Sequence, residues 1–479
     1  MKYQVAIIVL SCCLFAPSAS ALPPNFIIFL ADDFSFNDVG CWGSPDAKTP
    51  HLDKLASQGV KLKRCYTAAP TCSPTRAALY TGLYPVKNGA HPNHSSVKPG
   101  TKSLPHYLKP LGYRVGIVGK TMIRPLESFP FDYVTSEKTI FETAATKKRG
   151  KQGVKQPEDL DFDAIEEYIG KDNSRPFCLI VASHQPHGPW DRGDALSYKA
   201  DELTMPPYLV DTPETREART HYLSEVTFLD AEVGRVLRLL AESGQEENTL
   251  FVFLSEQGAG LPNAKYNLYD PGIRSASIAR WPGKIAAGIE NNALMSYVDV
   301  VPTLIELAGG EPIPGLDGRS IANMLLGKSK EHSEYVFAQA TSLGVNGVKT
   351  PYAIRAVIDD RYKYIWNLNN ENEFPCNRDA HGTASAWRKL AQTDRDAHSR
   401  LQRFLHRPEI ELYDLTVDPW EQTNIADDPA NRETLSRLRQ QLDDWMRDQG
   451  DEGSATELAV RERIKKPQRG TRPKRKTRA

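Results

Sequence analysis

Short runs of apolar and β-branched residues alternate along this chain with stretches whose apolar positions recur every three or four residues. The first pattern marks buried strands and the second amphipathic helices. Their alternation predicts an α/β fold: a large, mixed, mainly parallel sheet between helices. Four of the apolar runs share a further property, because each ends in polar chemistry. Residues 26–30 lead into Asp32-Asp33 and residues 115–118 into Gly119-Lys120. Residues 177–181 lead into His184-Gln185-Pro186-His187, and residues 250–254 into Ser255-Glu256-Gln257-Gly258. In open α/β sheets ligands bind beyond the carboxyl ends of strands. Four such ends are therefore expected to assemble one polar site from distant segments.

At 479 residues the chain exceeds the usual size of one domain. Residues 353–367 read as strand-rich, and residues 432–447 place Leu435, Leu438, Leu442 and Trp445 at helical spacing. The expected organisation is a leader over 1–21, a catalytic domain over 22–335 holding every site group, a smaller α+β subdomain over 336–450, and a basic disordered tail over 451–479. The polar, basic insert at 138–156 is expected as a surface loop near the cleft mouth.

The composition, 40% hydrophobic and 25% charged, is that of an ordinary globular protein. At the N-terminus, Lys2, an apolar stretch over 5–16 and Ala19-Ser20-Ala21 read as an export signal cleaved after Ala21. Lipoprotein processing at Cys12 is the alternative. That stretch is too short to span a membrane, and no later segment supplies a span. Cleavage leaves Cys41, Cys65, Cys72, Cys178 and Cys376, an odd number, so at least one thiol stays outside any internal disulfide. Cys72 is the natural candidate. No Cys-x-x-Cys pair or zinc-type spacing occurs. Net charge is zero, but residues 461–479 carry ten Lys or Arg against one acid, Glu462. Such an end suits a polyanion or simply solubility; nucleic acid is not the expected partner.

Asp32, Asp33, Glu256 and Gln257 offer the oxygen donors that suit calcium, or magnesium, better than zinc. Adjacent aspartates repel unless a cation separates them. Lys120 and Arg76 would add fixed positive charge for an anionic group, and His187 could act as a general acid. Residues 72–76 read Cys72-Ser73-Pro74-Thr75-Arg76. This places a cysteine just ahead of a helix with Pro74 at its first position, stopped by Gly82 and Pro85. A group there faces unpaired N–H groups and the positive end of the dipole, an arrangement that attracts anions.

The pentapeptide resembles the C-x-P-x-R signal of type I sulfatases, in the alkaline phosphatase superfamily. The likeness extends through 25–43, His51-Leu52-Asp53-Lys54-Leu55-Ala56, 112–120, Asp299-Val300-Val301-Pro302-Thr303-Leu304, Gly315-Leu316-Asp317-Gly318 and Glu411-Leu412-Tyr413-Asp414-Leu415 with Asp418-Pro419. Within the family, Phe129-Pro130-Phe131-Asp132, His184-x-Pro186-His187, Ala353-Ile354-Arg355 and Asn367-Leu368-Asn369 are most similar to heparan N-sulfatase (N-sulfoglucosamine sulfohydrolase). The resemblance implies that Cys72 becomes formylglycine through a formylglycine-generating enzyme, and that its hydrate attacks a sulfate ester or sulfamate of a sulfated glycan. It puts the metal at Asp32, Asp33, Glu256 and Gln257, with residue 72 itself. Arg76 is implied to polarise the hydrate, Lys120 and Lys265 to hold sulfate oxygens, and His187 to protonate the leaving group.

Two positions depart from the family pattern. Glu256-Gln257 stands where Asp-Asn or Asp-His is usual, and Met122 stands where Lys-x-His would place a histidine. Methionine cannot donate a hydrogen bond to sulfate, so that contact is either lost or comes from elsewhere, with His184 and Arg124 as the candidates. A phosphodiesterase or phosphonate hydrolase of the same superfamily, and a non-catalytic sulfoglycan-binding relative, are the alternative readings.

Overall fold

The structure, a computed structural model, describes residues 23–135, 160–376 and 382–465. The leader, the insert at 138–156 and the chain beyond 465 lie outside the described residues. The large sheet uses β1 (Asn25–Ala31), β2 (Val60–Tyr66), β3 (Arg114–Gly119), β4 (Asp132–Tyr133), β5 (Phe177–Ala182), β6 (Thr249–Ser255), β7 (Arg274–Ser275), β8 (Ile278–Arg280) and β9 (Ile289–Ser296). Its order is β4-β3-β5-β1-β6-β8-β2-β7, with β9 on β2.

The four runs that end in polar residues are neighbours in this sheet. β3, β5, β1 and β6 lie side by side and parallel, with Leu30 opposite both Ala182 and Leu254 and Gly119 opposite Ala182. Their carboxyl ends therefore open at one edge. The runs are continuously apolar because both faces are covered. Ile27, Phe29 and Ala31 of β1 enter the core under helices Pro50–Ser57, Phe162–Gly170 and Pro213–Glu242. Phe26, Ile28 and Leu30 enter the opposite core, under Cys72–Thr81 and Val300–Leu307.

A second, antiparallel sheet has the order β10 (Val336–Thr341), β11 (Ala353–Ile358), β12 (Tyr362–Asn367), β13 (Ile410–Asp414). Helix Arg432–Gln449 packs Leu438, Leu442, Trp445 and Met446 against Val357, Tyr364 and Leu412. The same cluster takes in Ala68, Ala78, Tyr84 and Val298, which joins the two sheets' supporting elements.

Order extends past residue 450, which corrects the tail expected from 451. Helix Ser454–Lys465 follows helix Arg432–Gln449. The fully buried Arg355 of β11 pairs with Asp451 at 2.5 Å and with Glu457 at 3.0 Å. Glu457 also accepts from the Thr341 hydroxyl at 2.6 Å. The basic run further on had masked two acids that share a buried partner, 96 residues away for Asp451 and 102 for Glu457. None of the five cysteines forms a disulfide, so Cys72 is not singular in that respect.

Candidate active site

Cys72 opens helix Cys72–Thr81 instead of preceding it, with Thr71 as the extended N-cap. Pro74 is thus the third helical residue, where a missing N–H is still harmless because first-turn N–H groups lack helical partners. Gly82 ends the helix in the left-handed conformation, as expected.

The strand ends converge on the buried thiol. Its Sγ lies 3.5 Å from Lys120 Nζ, 3.5 Å from Gln257 Nε2, 3.7 Å from Lys265 Nζ and 3.8 Å from Asp32 Oδ1. Lys120 reaches inward from the end of β3 because Gly119 turns there at φ +85°, and a Cβ at 119 would sit 2.1 Å from the Ala182 carbonyl oxygen. Lys265 comes from the loop after β6, where its N–H bonds Ala259 O and the next N–H bonds Pro70 O beside the cysteine segment.

Charge is balanced in pairs. Lys120 is ion-paired to Asp32, and Lys265 lies 2.6 Å from Asp33. Burial is the largest single effect and opposes ionisation of Asp32, but Lys120, Glu256, His187 and Arg76 together outweigh it, and the carboxyl is held well below its ordinary range. Both lysines resist deprotonation despite burial because Asp32 and Asp33 face them. Burial, with Glu256 next, pushes the Cys72 thiol up to about 11 against the pull of both lysines. The unmodified side chain is a neutral thiol at neutral pH and a weak nucleophile.

Asp32, Asp33 and Cys72 present ligand atoms within 4.8 Å of one another. Gln257 donates Nε2 to Asp33 at 2.5 Å, while its buried Oε1 has no hydrogen-bond partner. An orphaned buried oxygen costs about 1–3 kcal/mol, and a hard cation beside it would remove that cost. The donor set fits calcium or magnesium.

Glu256 lies within side-chain hydrogen-bonding reach of Asp32 and is also engaged by Arg76. Its longer side chain carries the carboxylate to Arg76, whose Nε and Nη2 donate to Oε1 and Oε2 at 2.7 and 2.9 Å. Arg76 Nη1 donates to the Lys120 carbonyl at 2.7 Å. Arg76 thus braces the site from behind and does not aim its fork at residue 72 as expected. His187 Nε2 lies 3.6 Å from Asp33 Oδ2, and its ring is 34% exposed at the mouth. His184 is more enclosed: burial first, then Lys120, lowers its pKa to about 4, so the ring is neutral.

Of these groups Asp32, Cys72, Lys120, His184, His187 and Lys265 line a cavity of about 400 Å³ that also includes Met122, Gln185, Pro189, Tyr266, Asn93, His94 and Asn346. Arg124 is not among the cavity residues. Asn93, His94, Tyr266 and Asn346 were missed by the sequence reading. Asn346 belongs to the loop between β10 and β11, so the site is not confined to residues before 335. One signal was available only in the backbone. Of six non-glycine residues with positive φ among the described residues, four (Asp33, His94, Met122 and Tyr266) border this site. Such strain collects where surrounding structure enforces a functional geometry.

A family model described as Sulfatase matches residues 24–310, more than half of the chain. The chain belongs to the sulfatase family. A second model, N-sulphoglucosamine sulphohydrolase, C-terminal, matches residues 263–380. An ulvan-active sulfatase of Formosa agariphila is 31% identical over 438 residues, covering 91% of this chain and 82% of that one. Human N-sulphoglucosamine sulphohydrolase is 26% identical over 478 residues, covering 89% and 90%. A solved structure in complex with its substrate D-glucosamine-2-N,6-O-disulfate shares the fold, with TM-score 0.65, 18% identity and coverage of 90% and 99%. The chain is accordingly a sulfate ester or sulfamate hydrolase of alkaline phosphatase-like fold, of the type I sulfatases close to heparan N-sulfatase. No helix among the described residues is long and apolar enough to cross a membrane.

Proposed function

We propose that this sulfatase removes sulfate from a sulfated sugar, with N-sulfoglucosamine as the leading substrate, after Cys72 is converted to formylglycine. The observation that carries the proposal is the position of Cys72: first residue of a helix, buried, with Lys120, Lys265 and Asp32 all within 4 Å of its sulfur. The N-sulfated substrate is supported by the C-terminal family match and by the human relative.

A calcium ion, or magnesium, would be held by Asp32, Asp33, Gln257 and residue 72, and would stabilise charge on sulfate oxygen; the formylglycine hydrate would supply the hydroxyl that attacks sulfur. Lys120 and Lys265 hold the remaining sulfate oxygens by charge-assisted hydrogen bonds. They are preorganised for this by the aspartates that now face them. His187 protonates the departing nitrogen or oxygen from its exposed position at the mouth. Arg76 keeps Glu256 compensated and fixes the Lys120 backbone. Met122 leaves a donor gap that neutral His184 fills. Maturation by a formylglycine-generating enzyme and export after cleavage at Ala21 complete the proposal.

Mass analysis of the peptide containing residue 72 from the native source tests the conversion, which exchanges sulfur for oxygen and removes two hydrogens. An unmodified thiol there would overturn catalysis by this route. Turnover of aryl phosphodiesters faster than aryl sulfates would instead favour the phosphodiesterase alternative.

A further inference from the structure

Next to Cys72, one joint ties the two subdomains together. The Ser73 N–H donates to Asn93 Oδ1 and the Ser73 hydroxyl accepts from the His94 N–H, both at 3.2 Å. The same two residues grip the loop between β10 and β11. The Asn93 N–H donates to Leu343 O at 3.3 Å, and His94 Nδ1 lies 2.8 Å from Gly344 O. Only glycine fits at 344: φ is +79°, and a Cβ would fall 2.0 Å from the Asn93 carbonyl oxygen. His94 itself is held at φ +58°.

We propose that His94 and Asn346 form the subsite that reads the hydroxyl groups of the sugar bearing the scissile sulfate. This deepens the sulfatase reading of the cavity and rests on it. Both side chains are exposed, and both line the cavity that contains Cys72, Lys120 and Lys265. A carbonyl only accepts, so the contact with Gly344 puts a His94 proton on Nδ1 and leaves Nε2 as the ring nitrogen open to a ligand. A sugar hydroxyl, which can both donate and accept, is the partner it suits. Asn346 offers an amide that can both donate and accept. Neither group carries a fixed charge, so the pair recognises hydroxyls and not a second sulfate. The strained backbone and the glycine joint hold the two readers, one from each subdomain, beside the segment that carries residue 72.

The test compares His94→Ala and Asn346→Ala with wild type on two substrates: N-sulfoglucosamine, and 4-nitrophenyl sulfate, whose leaving group has no sugar hydroxyls. Loss of one hydrogen bond should raise KM for the sugar about tenfold, with kcat and the aryl sulfate KM unchanged. Equal losses on both substrates, or no loss on either, would overturn the subsite. Calorimetric binding of N-sulfoglucosamine in a Cys72→Ala background removes the dependence on turnover. There each substitution should weaken binding about tenfold, and unchanged affinity overturns the subsite. A wild-type protein that binds the sugar but never releases sulfate would overturn the sulfatase proposal alone.

Discussion

Arg76 and Glu256 face each other as a two-point ion pair with both side chains fully buried. The pair joins the first turns of helix Cys72–Thr81 to the end of β6, and through the Lys120 carbonyl to the end of β3. A buried pair is weak evidence of net stability, but removing one partner strands the other charge. Arg76→Ala should therefore destabilise the protein by about 3–5 kcal/mol. Glu256→Ala in the same background should recover part of that loss, because the uncompensated carboxylate goes with it. Urea unfolding of the two single variants and the double variant measures both terms. Purely additive losses would show that the two side chains do not act as a pair.

Metal dependence provides a second prediction. Calcium added to chelator-treated protein should stabilise it, by about 2.7 kcal/mol at a hundredfold excess over Kd. Gln257→Leu removes the orphaned Oε1 without breaking an ion pair, so it should weaken calcium binding measured by calorimetry. Unchanged calcium affinity would take Gln257 out of the ligand set.

His184 sets a pH dependence. Its folded pKa, about 4, lies below the ordinary 6.5. Below 6.5 the unfolded chain binds a proton that the folded chain refuses, so stability rises with pH across this range. The contribution is complete above about 6.5 and is lost as pH falls through about 4. His184→Gln should lose less melting temperature than wild type between pH 7 and pH 4.5. Parallel melting curves for the two proteins would contradict the assignment.

The Arg355 clasp predicts that the end of the described chain matters for stability. Arg355→Ala leaves Asp451 and Glu457 buried beside no cation, and should cost about 3–5 kcal/mol. Truncation after residue 450 should also destabilise, whereas truncation after 465 should not. Thermal melting of the three proteins distinguishes the clasp from a dispensable tail.

Much of the scaffold was legible because its signals are local. A strand buried on both faces must be apolar throughout, and a helix on a sheet must repeat its apolar positions. Both rules were visible in residues 26–30, 177–181 and 432–447. The same locality explains why Asp32, Lys120, His187 and Gln257 were nameable: each follows a strand directly. Lys265 has no such strand and came only through the family resemblance. Asn93, His94 and Asn346 had no signal of that kind, because their place depends on a loop of one subdomain closing on another.

By itself, then, the sequence determined the α/β architecture, the parallel strands with polar ends and the cysteine at a helix start, since each follows from periodicity or polarity over a few residues. Tertiary structure alone decided that Glu256 serves Arg76 across 180 residues, that Gln257 keeps an unpartnered oxygen beside Asp33, and that Asp451 and Glu457 are buried partners of Arg355 and not tail. Those outcomes turn on the reach of individual side chains and on which charges meet when water is excluded. No periodicity along a chain encodes either.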